Sequence, residues 1–213
     1  MKVAIQANMM TEQNEQQPAL RLFTAISVPR EIKEPLAELM KRLQAGSVFT
    51  GAHPVWVRPE DAHVTLVFLG WQAEDTIGRV KRAMASAVLN QPPFVLSLGG
   101  LNLFPSPRSP RVICLNIRRD KDALACLYQR LTDACAAEGF TVDSRAFHSH
   151  LTLARIKSMR GIAGLRDLVK AHVSWSSKSF TVDRVTLYKS DLHPDGARYE
   201  VVAEEILAGN SSG

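Results

Sequence analysis

Two short stretches decide the fold: His63-Val64-Thr65-Leu66-Val67-Phe68-Leu69-Gly70 and His150-Leu151-Thr152-Leu153-Ala154-Arg155. Each opens with HxTL inside an apolar run of strand-like composition. Side chains alternate across a strand, so the His and Thr of each motif share one face while Val64 and Leu66, or Leu151 and Leu153, share the other. A lone HxT is weak, since six His and ten Thr among 213 residues give about 0.3 matches by chance. Two matches, both on strands and both backed by apolar alternates, point to a function rather than to packing.

The surroundings of the two motifs repeat. Arg21 to Val28 reads as a strand, and Ile32, Leu36, Leu39, Met40 and Leu43 follow at helical spacing, with Pro35 placing the regular helix start near Lys33. An extended Val55-Trp56-Val57 precedes the first motif strand, which Gly70 closes. A helix carrying Ile77, Val80, Met84, Ala87 and Val88 then leads to a strand from Phe94 to Leu98. The order recurs as a strand from Arg111 to Ile117, a helix capped by Asp120 and stopped by Gly139, and the second motif strand. A weaker helix around Ile162, Leu165 and Leu168 and a strand from Phe180 to Tyr188 complete the second half. Phe23 precedes His63 by 40 residues and Val112 precedes His150 by 38, so the histidines occupy matching places in a duplicated unit. The expected fold is therefore α+β: two pseudo-symmetric lobes, each an antiparallel sheet with helices on one face, flanking a central cleft. Pro105, Pro107 and Pro110 are expected at the crossover between the lobes. Residues 1–19, rich in Gln, Asn and Glu, read as a mobile leader, residues 20–208 as one bilobal domain, and residues 209–213 as a tail.

With 46% hydrophobic residues the chain can bury a core, and no run approaches the roughly 18 apolar residues of a membrane span. The start lacks the continuous apolar stretch of a signal peptide, and three scattered cysteines suit a reducing compartment, so a cytoplasmic monomer is expected. Cys114, on a strand, and Cys126 and Cys135, on a helix, read as packing residues. A net charge of +5 favours an anionic partner without naming it.

Two HxT strands meeting across a cleft present two imidazoles and two hydroxyls to one ligand. One imidazole can accept a proton from water while the other protonates a leaving oxygen, because an unperturbed pKa near 6.5 lets both forms coexist at neutral pH. Hydroxyls of Thr65 and Thr152 can donate to phosphoryl oxygens. Neither motif supplies carboxylate or thiolate at ligand spacing, which disfavours a metal hydrolase, and no metal or cofactor is expected. A non-catalytic RNA-end-binding module is the rival reading, but Arg and aromatic residues alone would serve it without paired HxT strands. His148 shares strand parity with His150 and is a further candidate for substrate contact. His53, His172 and His193 read as surface residues, and Trp56 and Trp175 as core anchors.

Arg21-Leu22-Phe23, Trp56-Val57, HVTLVFLG from His63, Pro110-Arg111-Val112, FHSHLTLAR from Phe147 and the late Tyr199 run in the order of a known family. The chain resembles the 2H phosphoesterases, specifically the bacterial RNA 2',3'-cyclic phosphodiesterases formerly named 2'-5' RNA ligases. That resemblance implies a bilobal α+β fold with a basic cleft and hydrolysis of RNA 2',3'-cyclic phosphate ends to 2'-phosphates without metal or ATP. ATP-independent 2'-5' ligation is the same chemistry with an RNA hydroxyl as nucleophile. It also implies His63 and His150 as catalytic residues, the first protonating the departing 3'-oxygen and the second activating water, and Thr65, Thr152 and Arg155 as substrate-binding residues. An offset of five from His150 places Arg155 on the opposite strand face unless the strand ends or twists there. Thr24 stands where the family often has a second aromatic.

Overall fold

The computed structural model describes residues 19–46, 54–143, 146–158, 164–194 and 196–209. His53, Ile162, most of the expected leader and the tail beyond Gly209 lie outside them. Ala19 already belongs to the first strand, and Gly209 donates its N–H to the Gln91 carbonyl.

The chain runs β1 (Ala19–Ser27), α1 (Arg30–Gly46), β2 (Val55–Trp56), β3 (His63–Ala73), α2 (Ile77–Val88), β4 (Phe94–Leu96), β5 (Leu98–Phe104) and β6 (Val112–Ile117). It continues through α3 (Lys121–Ala137), β7 (His150–Arg155), α4 (Leu165–Ala171), β8 (Phe180–Val182), β9 (Arg184–His193) and β10 (Gly196–Ile206). Seven strands form an antiparallel path in the order β10-β9-β1-β3-β7-β6-β5, β2 adds to β7, and β4 pairs separately with β8. The two expected lobes are the β3 and β7 sides of this path, and those strands pair at Val64 and Leu151. The middle residues of the two HxT motifs thus sit on the pseudo-twofold axis.

Apolar faces of α1, α2 and α3 join Val64, Leu66, Leu151 and Leu153 in one core. The polar alternates of the motif strands are left on the opposite face, half-buried. Leu151 and Leu153 are fully buried, so truncating either to Ala should cost about 2 to 5 kcal/mol. Among the described residues no helix is long and apolar enough to cross a membrane.

Several sequence expectations need correction. Helix α1 begins at Arg30, three residues before the expected start, because the Pro29 carbonyl accepts from both Ile32 and Lys33. Pro35 lies inside it, and its missing N–H falls opposite the exposed Glu31, whose carbonyl water can serve. Asp120 occupies the α3 N-cap position in a left-handed conformation, but its carboxylate accepts from the Val95 N–H instead of capping the helix. Strand β3 does not stop at Gly70 but continues to Ala73, with Gly70 at φ +73° absorbing an irregularity. The stretch expected as one strand from Phe180 splits into β8 and β9. Cys114 and Cys135 are buried and burial pushes each thiol up to about 11, whereas Cys126 faces solvent.

Strand β5 hides behind Gly99-Gly100, and a side chain at Gly100, where φ is +72°, would collide with the Arg118 guanidinium. This strand relocates the crossover. Pro105 to Pro110 form the turn of the β5–β6 hairpin, while the chain changes lobes earlier, between α2 and β5. Strand β5 follows the first half but pairs with β6, and β9 follows the second half but pairs with β1. Each half lends its last strands to the other lobe.

Candidate active site

The two motif strands are laid against their neighbours in the same register. Ser27, Ala25 and Phe23 of β1 oppose His63, Thr65 and Phe68, just as Asn116, Cys114 and Val112 of β6 oppose His150, Thr152 and Arg155. In both, the last two pairs lie two positions apart on one strand and three apart on the other, the signature of a β-bulge. Leu66 and Val67 are consecutively buried in β3, as are Leu153 and Ala154 in β7. The extra residue resets parity, so Arg155 returns to the face of His150 and Thr152 despite its offset of five. In β3 the bulge is filled by Thr24, whose buried hydroxyl accepts from the Val67 N–H at 3.1 Å. Thr24 therefore serves the backbone, and of these two neighbours only Phe23 presents an aromatic ring to His63.

Both imidazoles are fixed the same way. His63 Nδ1 lies 2.7 Å from the Asp61 carbonyl and His150 Nδ1 lies 2.6 Å from the His148 carbonyl. A carbonyl only accepts, so each Nδ1 carries the hydrogen and each Nε2 remains as the nitrogen that can take a proton from a ligand or give one to it. The strand starts at His150, so His148 contributes chiefly this carbonyl, while its exposed ring lies 5.4 Å from Phe104. The Asp61 carboxylate is held by Arg58 at 2.6 Å.

The rings around the two histidines differ. His63 packs against Phe23 at 5.0 Å and meets Tyr199 edge-on at 5.0 Å, with Tyr188 at 6.0 Å. His150 lies nearly parallel to Phe104 at 5.6 Å. Burial lowers the His63 pKa, against the opposing effects of the Asp61 carbonyl and charge, with Arg155 and Lys33 lowering it further. Burial likewise raises the Tyr199 phenol, and the Arg155 charge opposes that rise. Arg155, carried by β7, thus acts electrostatically on the groups of the β3 side. Arg21, lowered by burial, is part of the same field, with its guanidinium 4.5 Å over the Phe68 ring and hydrogen-bonded to Ser190 Oγ at 3.2 Å.

Beside His150 and Thr65 opens a pocket of about 390 Å³ walled by Phe68, Phe104, Tyr128 and Phe147. Its far wall includes Thr132, whose buried hydroxyl has no hydrogen-bond partner. Among the described residues no three His, Cys, Asp or Glu side chains gather as a metal site. His172 and His193 lie at element ends, His172 bonding the Leu168 carbonyl, and Trp56 and Trp175 pack partly buried against the core.

Sequence reasoning brought together His63, Thr65, His150, Thr152 and Arg155. It missed Phe104 and Tyr188, which occupy equivalent places on β5 and β9, facing Val112 and Phe23. An aromatic on the strand that each half lends away was the available signal. It was unreadable without β5.

A family model described as the 2'-5' RNA ligase superfamily matches residues 28–194. The RNA 2',3'-cyclic phosphodiesterase of Archaeoglobus fulgidus is 30% identical over 181 residues, 85% of this chain and 97% of that protein. The RNA 2',3'-cyclic phosphodiesterase of Bacillus subtilis is 30% identical over 182 residues, 84% of this chain and 92% of that protein. Among solved structures, TT0787 of Thermus thermophilus superposes with a TM-score of 0.70 at 25% identity, over 89% of this chain and 98% of that one. E. coli LigT complexed with 3'-AMP superposes with a TM-score of 0.66 at 25% identity, over 89% of this chain and 99% of that one. The extent of the family match, together with the duplicated HxT strands, means that this chain belongs to the 2'-5' RNA ligase superfamily, the 2H phosphoesterases.

Proposed function

We propose that the protein hydrolyses RNA 2',3'-cyclic phosphate ends to terminal 2'-phosphates, with His63 and His150 as acid and base. The observation that carries this reading is the pair of imidazoles placed on either side of the Val64–Leu151 pseudo-twofold pairing, each with Nδ1 bonded to a backbone carbonyl, which leaves Nε2 as its free nitrogen. His150 takes a proton from water as the water oxygen bonds to phosphorus, the bond from phosphorus to the 3'-oxygen breaks, and His63 gives that oxygen its proton. Thr65 and Thr152 donate to the non-bridging oxygens, and Arg155 balances their growing charge. Burial alone favours neutral His63. The arriving phosphate anion supplies the countercharge that brings a proton onto it, and desolvation makes that imidazolium a stronger acid.

The experiment is to incubate the protein, with excess EDTA, with an RNA ending in a 2',3'-cyclic phosphate and identify the product. A terminal 2'-phosphate is expected. A 3'-phosphate, or turnover that stops in EDTA and returns with zinc or manganese, overturns the reading.

The aromatic pocket beside His150 favours a second reading, 2'-5' joining. It lies on the side from which the nucleophile comes and is large enough for the end of a second RNA. A 5'-hydroxyl in the place of water would then form a 2'-5' linkage by the same proton transfers, and adding a 5'-hydroxyl RNA to the assay tests this directly.

A further inference from the structure

Beyond the motif, β3 carries a second irregularity. Phe68 opposes Phe23 and Gly70 opposes Leu22, leaving Leu69 unopposed, and Trp71 then opposes Arg21. An offset of three would normally send Phe68 and Trp71 to opposite faces. The unopposed, buried Leu69 cancels that, and Trp71 shares the face of Phe68 and Arg21. Their positions are separated by one two-residue repeat of β1, roughly 7 Å. The face that begins with His63 and Thr65 therefore continues to Trp71, whose side chain is 62% exposed although it is an indole. Beside it, the Arg21 guanidinium is held in place by Phe68 on one side and Ser190 on the other.

We infer that Trp71 and Arg21 form a binding site for single-stranded RNA immediately 5' of the cyclic end, Trp71 stacking a base and Arg21 holding a backbone phosphate. This rests on the proposed function of the adjoining site. Three features choose this occupant: the face is continuous with the HxT site, a fixed cation stands beside an exposed aromatic, and the step from Phe68 to Trp71 along that face is of the order of one nucleotide. Aromatic stacking tolerates any base, so the site would favour polynucleotides over mononucleotides without reading sequence.

The test compares 2',3'-cyclic AMP with a pentaribonucleotide ending in a 2',3'-cyclic phosphate. Trp71→Ala should lower kcat/KM for the pentamer roughly 5- to 150-fold, the range of one lost stacking contact, and leave the mononucleotide within about twofold. Trp71→Phe should restore most of the loss. Equal effects on the two substrates, or none on the pentamer, overturn the inference. If the wild-type protein opens neither substrate, it is the proposed function that fails. The platform is then judged by fluorescence anisotropy of a 5'-labelled pentamer with a terminal 2'-phosphate. Weakening by Trp71→Ala supports it, and unchanged binding sinks it.

Discussion

The two halves of the site share a backbone and differ in what surrounds it. Register, bulge and carbonyl clamp are the same at His63 and at His150, and the first six residues of both motif strands share one burial pattern. Yet Phe68 stands where the other half has Arg155, Phe23 where it has Val112, and Tyr188 where it has Phe104. The result is one imidazole desolvated by three aromatic rings and another stacked on a single ring beside a pocket. Symmetric scaffolding fixes where the reacting atoms meet, and asymmetric packing is what can give two identical groups different tasks.

Removing either imidazole should give the largest loss, on the order of 10² to 10⁴ in rate for His63→Ala and for His150→Ala. A substrate with sulfur at the 3' bridging position breaks the tie, because a thiolate leaves without protonation. Rescue of His63→Ala alone is expected; rescue of His150→Ala instead would exchange the two roles, and rescue of neither would end the two-imidazole mechanism. Next in size, Arg155→Ala should slow turnover about 10² to 10³-fold, with Arg155→Lys recovering part of it. Phe68→Ala, at the pseudo-equivalent place, should cost much less, and steady-state kinetics that rank the two equally would erase the asymmetry.

Thr65→Val and Thr152→Val keep shape and lose a neutral donor, so each should cost about 10- to 10²-fold, less than the charged Arg155. Urea midpoints of both variants should stay near wild type. The smallest effect concerns stability. An unfolded His titrates near 6.5, and burial holds folded His63 below that. Above about pH 6.5 both states are neutral there and no penalty exists. As pH falls through that value toward the folded one, the unfolded chain takes the proton more readily and stability drops. His63→Gln should flatten this decline in urea unfolding between about pH 7.5 and 5, and an unchanged slope would assign it elsewhere.

The motif strands and the buried faces of the helices were legible because each has one dominant period, as with Ile32, Leu36, Leu39 and Leu43 on α1. Strand β10 was not, since it lies at the sheet edge with Arg198, Glu200, Glu204 and Glu205 breaking any apolar run. Bulges are invisible to periodicity: the residues around Leu153 read as ordinary alternation, and only pairing with β6 shows that Arg155 faces the histidines. The family resemblance placed Arg155 in the site where parity argued against it, and a phase shift of one residue reconciles them. Asp61 was not legible, and His148 was legible only as a candidate ring for substrate contact, because both act through carbonyls, which every residue has.

Those two carbonyls also constrain how the enzyme recovers between turnovers. On the proposed roles, His63 as acid and His150 as base, one cycle would leave the first without its Nε2 proton and the second with one too many. In each ring Nδ1 is occupied by its carbonyl, at 2.7 Å in one and 2.6 Å in the other, which disfavours proton exchange at the back. Both protons would then travel through Nε2, into the space the product has just left. On those roles the free protein would have two kinetic forms, one ready and one spent. Solvent and buffer entering the vacated cleft, with no movement of the backbone, convert the second into the first.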